Sequence, residues 1–234
     1  MKEVWSFIET EDKKLHATAL QMASEAKRNS KFFSAIPCGI YMGPAVKDFD
    51  ELEKHGLDKI YYFETKETLT PEIISENIVK LSIHFNPEMI CLASTPLGAE
   101  LGSRVSARTG KGLLSNCIDF EQTEGELIAR RSQFEGKASG YYSWLSEPPY
   151  IVTLNLNSLE AVKFNKATGN LKIVNMEFIR PTNEKTKLLS RWKLPLTEID
   201  LSEASIVIGV GGGIKSKEFM KEVYREKYSI KDSI

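Results

Sequence analysis

The chain has 234 residues but only three cysteines and three histidines. Cys38, Cys91 and Cys117 are far apart, odd in number and in no CxxC or Cys/His spacing, so neither a disulfide framework nor a zinc site is expected. Cys91 sits in the apolar run Met89-Ile90-Cys91-Leu92-Ala93 and reads as a small buried hydrophobe, because a nucleophilic thiol needs a base beside it. His16, His55 and His84 do not cluster; each borders a helix or turn and reads as a surface or satisfied core residue. There is no HExxH, no nucleophile elbow and no carboxylate pair in a supporting context. Charge of one sign is also lacking. Thirty-one basic residues face 32 acidic ones, which gives no electrostatic case for nucleic acid or an anionic membrane surface. No apolar run approaches the roughly 20 residues that a membrane span needs. Met1-Lys2-Glu3-Val4-Trp5 has no apolar signal core, so a cytoplasmic protein is expected.

What is present is ordinary globular composition, 41% hydrophobic and 27% charged, in a chain long enough for one large domain or somewhat more. Val4 to Ile8 reads as a buried strand, and Leu15, Ala19, Met22, Ala23 and Ala26 follow at helical spacing. Ile36 to Met42, interrupted by Pro37, reads as a strand, and Phe49 to Lys54 as a short helix closed by Gly56. Ile60-Tyr61-Tyr62-Phe63 is a further strand. Thr70 and Pro71 open a helix whose apolar face is Ile74, Ile78, Leu81 and Phe85, and Asn86-Pro87 ends it. Met89 to Ala93 is the next strand, and Leu97, Leu101 and Val105 begin another helix. Strand and helix in alternation predict a mostly parallel sheet with right-handed crossovers.

After Gly110 the pattern changes. Leu113 to Ile179 is a β-rich excursion of short strands, including a hairpin with Thr168-Gly169-Asn170 as its turn between Val162-Lys163-Phe164 and Leu171-Lys172-Ile173-Val174. Arg180 to Leu196 is a polar connector. Ile206-Val207-Ile208, a glycine-rich turn, and Phe219, Met220, Val223 and Tyr224 then start a second α/β unit. The expected fold is therefore α/β: a mostly parallel sheet with flanking helices over residues 1–196, then the first strand and helix of an incomplete second domain over residues 197–234.

Three segments are candidates for chemistry. The first is Gly209-Val210-Gly211-Gly212-Gly213 with Lys215 and Ser216. A glycine turn between strand and helix exposes backbone N–H groups to a phosphate, although GxxxxGK[ST] is absent and GxGxxG is matched only loosely. A tight turn with Ser216 as an N-cap explains the same residues. The second is Ala93-Ser94-Thr95 through Gly98 to Arg104, at the end of a parallel strand where open α/β sheets bind ligands. Ser94 or Thr95 is a cap there, and Arg104 either grips an anion or a partner carboxylate or is simply solvated. The third is Arg130-Arg131-Ser132-Gln133-Phe134-Glu135-Gly136-Lys137-Ala138. Adjacent arginines on a strand point to opposite faces, which suits a scaffold or interface better than a phosphate groove.

Together these segments resemble the alpha subunit of the electron-transfer flavoproteins. Strand-ending Glu9, Pro87 to Thr95, Gly98 through Arg104 to Arg108, Arg130 to Ala138 and Leu201 to Ile208 occur in the family's order. The resemblance implies a nucleotide-hydrolase-like first domain that binds no flavin itself and packs on a beta subunit. It also implies FAD on the second alpha domain, with Gly211, Gly212, Gly213, Lys215 and Ser216 at the cofactor. The family is an electron carrier between dehydrogenases and an acceptor rather than a catalyst in its own right. Two departures matter. Gly212 stands where the family has an arginine facing the flavin, and the sequence stops before the family's remaining flavin motifs. The chain is therefore expected not to hold FAD alone. It is expected to act as a subunit or docking module beside a beta-subunit-like protein, with the rest of the flavin domain coming from a separate chain. The alternatives are a small-nucleotide-binding protein that uses the first domain's strand ends, and an interaction module without a redox role.

Overall fold

A computed structural model describes residues 1–11, 14–15, 17–46, 49–164, 170–181 and 184–190. Met1–Leu189 forms one compact unit. Strand β1 (Glu3–Phe7) leads into a small hairpin of β2 (Thr10–Glu11) and β3 (Lys14–Leu15). Then come α1 (Ala17–Phe33), β4 (Ile36–Gly43), α2 (Phe49–Lys54), β5 (Lys59–Glu64), α3 (Pro71–Phe85), β6 (Met89–Ala93) and α4 (Pro96–Thr109). Strands β7 (Leu113–Thr123), β8 (Glu126–Gln133), β9 (Ala138–Tyr142), β10 (Tyr150–Leu154) and β11 (Lys172–Asn175) complete the order.

Local chemistry sets the helix ends. Thr70 accepts from the Ile73 amide and Pro71 occupies the first turn of α3, where its missing N–H costs nothing. Asn86 ends that helix in the left-handed conformation at φ 46°. Thr95, Pro96 and Gly110 repeat the arrangement in α4. Gly56, at φ 105°, turns the chain from α2 into β5 so close to Lys27 that a Cβ would lie 2.6 Å from the Lys27 Cβ.

One nine-stranded sheet organises the unit, in the order β11-β5-β4-β1-β6-β10-β7-β8-β9. All pairs from β11 to β7 are parallel; β7–β8 and β8–β9 are antiparallel. The central strands β1 and β6 are buried along their whole length. Both faces are covered, so alternate residues of one strand enter different cores. Val4 and Ile8 pack with Ala19, Met22, Ala23 and Ala26 of α1, whereas Trp5 and Phe7 pack with Ile74, Ile78, Leu81, Leu101 and Val105 of α3 and α4.

The α/β expectation holds, and three details change. The β-rich stretch divides: β7, β10 and β11 join the parallel sheet, and only β8, β9 and their pairing to β7 form an antiparallel wing. The expected hairpin between Val162–Phe164 and Leu171–Val174 does not form. Strand β11 pairs in parallel with β5, Ile173 opposite Ile60, and so covers an edge that would otherwise be bare. Val162 and Phe164 instead donate their amides to Ser24 Oγ and the Lys54 carbonyl. Thr168 and Gly169 lie outside the described residues, as does the 197–234 unit. Leu15 belongs to β3 rather than to the helical face.

After β11 the chain crosses α3 as a strap. Asn77 brackets it, donating to the Ile179 carbonyl at 2.8 Å and accepting from the Ile179 amide at 2.9 Å. Glu72 Oε2 then accepts from the Lys185 amide and the Thr186 hydroxyl. Met176 and Phe178 pack on the α3-side core.

Candidate functional site

Strands are added toward one edge from β1 through β4 to β5, and toward the other from β6 through β10 to β7. The C-terminal ends of β1 and β6 thus flank the switch point of the sheet, where ligands of open α/β folds lie. Glu9 follows β1 and Thr95 follows β6. Thr95 Oγ1 accepts from the Gly98 amide at 2.9 Å and donates to Glu9 Oε1 at 2.7 Å. Gly98 is required here, since a Cβ would lie 2.0 Å from the Ala93 carbonyl oxygen and 3.2 Å from Glu9 Oε1. Burial pushes the Glu9 carboxyl above its ordinary pKa, against the opposing hydrogen bond from Thr95. The chain's own carboxylate therefore stands at the α4 N-terminus, the position that a bound phosphate would take. Ser94 is turned away from it: its hydroxyl donates to Thr153 Oγ1 at 3.1 Å, which also accepts from the Asn116 amide.

Arg104 does not reach this crevice. It pairs along α4 with Glu100 at 2.8 Å. Arg130 and Arg131 point to opposite faces of β8, as their adjacency predicts. Arg130 pairs with Asp119 at 3.3 Å, and the Arg131 guanidinium lies 5.4 Å from the centre of the Tyr142 ring. The wing carries a different feature. Phe134 and Glu135 both adopt positive φ, 50° and 56°, in the turn between β8 and β9. Phe134 is 75% exposed and Tyr141 59%, and Leu145 is fully exposed. A bulky residue in the left-handed region is unfavourable, and exposing its ring gains nothing in the isolated chain.

Cys38, Cys91 and Cys117 are free and buried. Burial raises all three thiols, Cys117 to about 12, so none is a thiolate near neutrality. His55 is buried with a ring nitrogen 2.7 Å from the Glu51 carbonyl oxygen, and His84 lies edge-on to Phe85. His16 and the expected cofactor residues Gly211, Gly212, Gly213, Lys215 and Ser216 lie outside the described residues. Among the described residues no cluster of His, Cys, Asp and Glu is arranged to hold a metal, and no helix is long and apolar enough to cross a membrane. Sequence reasoning placed Thr95 and Gly98 correctly at a strand end. It missed the Glu9–Thr95 bond, because 86 residues separate the partners, and it missed the Asn77 bracket, because a lone asparagine in an apolar helix gives no pattern.

Comparison with known proteins gives a consistent picture. The model of the electron transfer flavoprotein domain matches residues 4–178. The chain is 28% identical over 222 residues to protein FixB of Clostridium saccharobutylicum, covering 93% of this chain and 66% of that protein. It is 29% identical over 185 residues to the electron transfer flavoprotein subunit alpha of Bacillus subtilis, covering 77% and 55% respectively. It is 23% identical over 221 residues to the lactate dehydrogenase (NAD(+),ferredoxin) subunit LctC of Acetobacterium woodii, covering 90% and 51%. The chain thus spans between about half and two thirds of the length of these relatives.

Proposed function

The chain belongs to the electron transfer flavoprotein domain family, and from that premise we propose that it serves as an alpha-subunit-like component of an electron-transfer complex. In this reading it helps to pass electrons between dehydrogenases and an acceptor and acts in the cytoplasm. Its role is docking, carried by the first unit and its antiparallel wing, and the partner is a beta-subunit-like protein of the same family. The observation that carries the reading is the wing turn. Phe134 holds an unfavourable backbone conformation in order to present an aromatic ring to solvent, with Tyr141 exposed on β9 and Leu145 exposed in the connection from β9 to β10. Aromatic anchors of this kind supply a large share of the energy in protein interfaces.

FAD is the cofactor that the family implies. The first unit does not supply its phosphate cradle at the switch point, because the Glu9 carboxylate stands there. Gly211, Gly212, Gly213, Lys215 and Ser216 would approach the cofactor's phosphates, without the arginine that the family carries at the position of Gly212. Co-expression with a beta-subunit-like protein, followed by size-exclusion chromatography, tests the proposal. Co-elution at a mass above that of the single chain is expected, and separate elution would refute it. A small-nucleotide-binding role at the first unit's strand ends is the weaker reading, because an internal carboxylate repels a phosphate from the α4 N-terminus.

A further inference from the structure

We propose that the groove between α3, α4 and the strap binds a small phosphate-bearing anion, distinct from any ligand of the switch point. The groove is open to solvent and has a volume of about 650 Å³, within the range of roughly 300–1,000 Å³ typical of small-molecule sites. Five cationic side chains line it against two carboxylates: Lys80 from α3, Arg104 and Arg108 from α4, and Arg180 and Lys185 from the strap, against Glu72 and Glu76. Arg104 and Arg108 are one helical turn apart and project from the same face of α4. Arg108 is anchored, donating from Nη1 to Ser75 Oγ at 2.6 Å, and Ser75 is fully buried. Its guanidinium is thereby held in place before any ligand arrives, and its planar fork suits phosphate oxygens.

The two carboxylates offset only part of this charge. Glu72 fastens the strap through the Lys185 amide and the Thr186 hydroxyl. Glu76 is shared between Lys80 at 3.5 Å and Arg108 at 3.7 Å, longer than close charge-assisted hydrogen bonds. Arg104 and Arg180 pair with Glu100, Glu67 and Glu184, which do not line the groove; these are solvent-exposed pairs of the kind that contribute little. The Lys185 ammonium has no carboxylate within ion-pair distance among the described residues. No aromatic side chain lines the space, so the groove offers no aromatic platform for a nucleobase. The chemistry read is phosphate. Because two of the five cations sit on the strap, binding and strap docking are one event: the anion ties the strap to α3 and α4.

Titration calorimetry of the full chain with inorganic pyrophosphate at low ionic strength tests this. Saturable binding is expected, tighter than for orthophosphate, weakened by added salt, and absent for adenosine. Pyrophosphate should also slow tryptic cleavage after Lys185 and Lys187. The double variant Lys80→Gln/Arg104→Gln leaves the strap contacts and the Arg108–Ser75 anchor in place, and should bind pyrophosphate at least tenfold more weakly while unfolding at the same temperature. Three results would each overturn the proposal: no heat at millimolar pyrophosphate, equal binding by the double variant, or adenosine binding as well as adenosine diphosphate.

Discussion

The Glu9 carboxylate accepts a 2.7 Å hydrogen bond from the Thr95 hydroxyl, and that hydroxyl in turn caps α4 by accepting from the Gly98 amide. The segment that follows β1 is thereby joined to the segment that follows β6 across the switch point. Burial is the largest influence on Glu9 and raises its pKa in the folded chain. A carboxyl with a raised folded pKa stabilises the fold most below the unfolded value, and that contribution is lost as pH rises through the folded value. Glu9→Gln keeps an acceptor for Thr95 and removes the charge. Its stability relative to the parent should match at acid pH and rise in its favour as pH climbs through the carboxylate range. Glu9→Ala removes the acceptor and should cost about 1 kcal/mol. Urea unfolding between acid and neutral pH reads both.

Glu3 should respond to pH in the opposite sense. It lies at the other end of β1, buried, with Lys59, Tyr61 and Trp5 all donating to its carboxylate. Burial alone would raise it, but those hydrogen bonds and the Lys59 charge outweigh burial and hold it below the ordinary value. Its contribution is present above the unfolded pKa and lost as pH falls through the folded one. Lys59→Met leaves the carboxylate buried without its cation and should destabilise by about 3–5 kcal/mol at neutral pH. The acid-unfolding midpoint should move toward neutrality. An unchanged midpoint would show that Tyr61 and Trp5 suffice.

Asn77 pins the strap by both amide atoms. Asn77→Ala removes the bracket and leaves the α3 core residues Ile74, Ile78 and Leu81 in place. A loss of about 1–3 kcal/mol is expected, together with much faster tryptic cleavage after Lys185 and Lys187. Hydrogen exchange in β6 should be unaffected at moderate pH.

The sequence carried the architecture where local chemistry is self-sufficient. Thr70-Pro71, Thr95-Pro96 and Asn86 mark helix ends by their own hydrogen bonds, and Met89 to Ala93 is an uninterrupted apolar run because both its faces are covered. Strand partners were less legible. Lys172–Asn175 has the residue types of a hairpin arm, yet its partner is β5, more than a hundred residues earlier. Nothing in a β-branched run states which edge it will cover. The site was half legible for the same reason: Thr95 and Gly98 announce a helix start, whereas the carboxylate that completes it, Glu9, comes from the segment after β1.

The purified chain should lack the visible absorption of bound flavin. By the family resemblance Gly212 is expected to stand where an arginine faces the flavin, which would leave the site one cation short. A visible spectrum checks it. A yellow protein with stoichiometric FAD would show that the glycine turn suffices without that charge.

Phe134 offers the sharpest test of docking, because stability and binding should change in opposite directions. Its φ of 50° is sparsely populated for an aromatic residue, and its ring is three-quarters exposed, so the isolated chain gains little from it. Asparagine adopts the left-handed region far more readily and carries no apolar ring. Phe134→Asn should therefore leave the isolated chain as stable as before, or more stable by up to about 1 kcal/mol. If the ring is an anchor for a beta-subunit-like partner, the same change should weaken the complex by about 2 kcal/mol or more, roughly a thirtyfold loss of affinity. Leu145→Ser, at a fully exposed site in the connection from β9 to β10, should leave the monomer unchanged and add to the loss. Thermal unfolding of the single chain and a titration against the co-expressed partner separate the two effects. A destabilised monomer with unchanged affinity would mean that Phe134 packs within its own chain, and the wing would then have no claim to be the docking face.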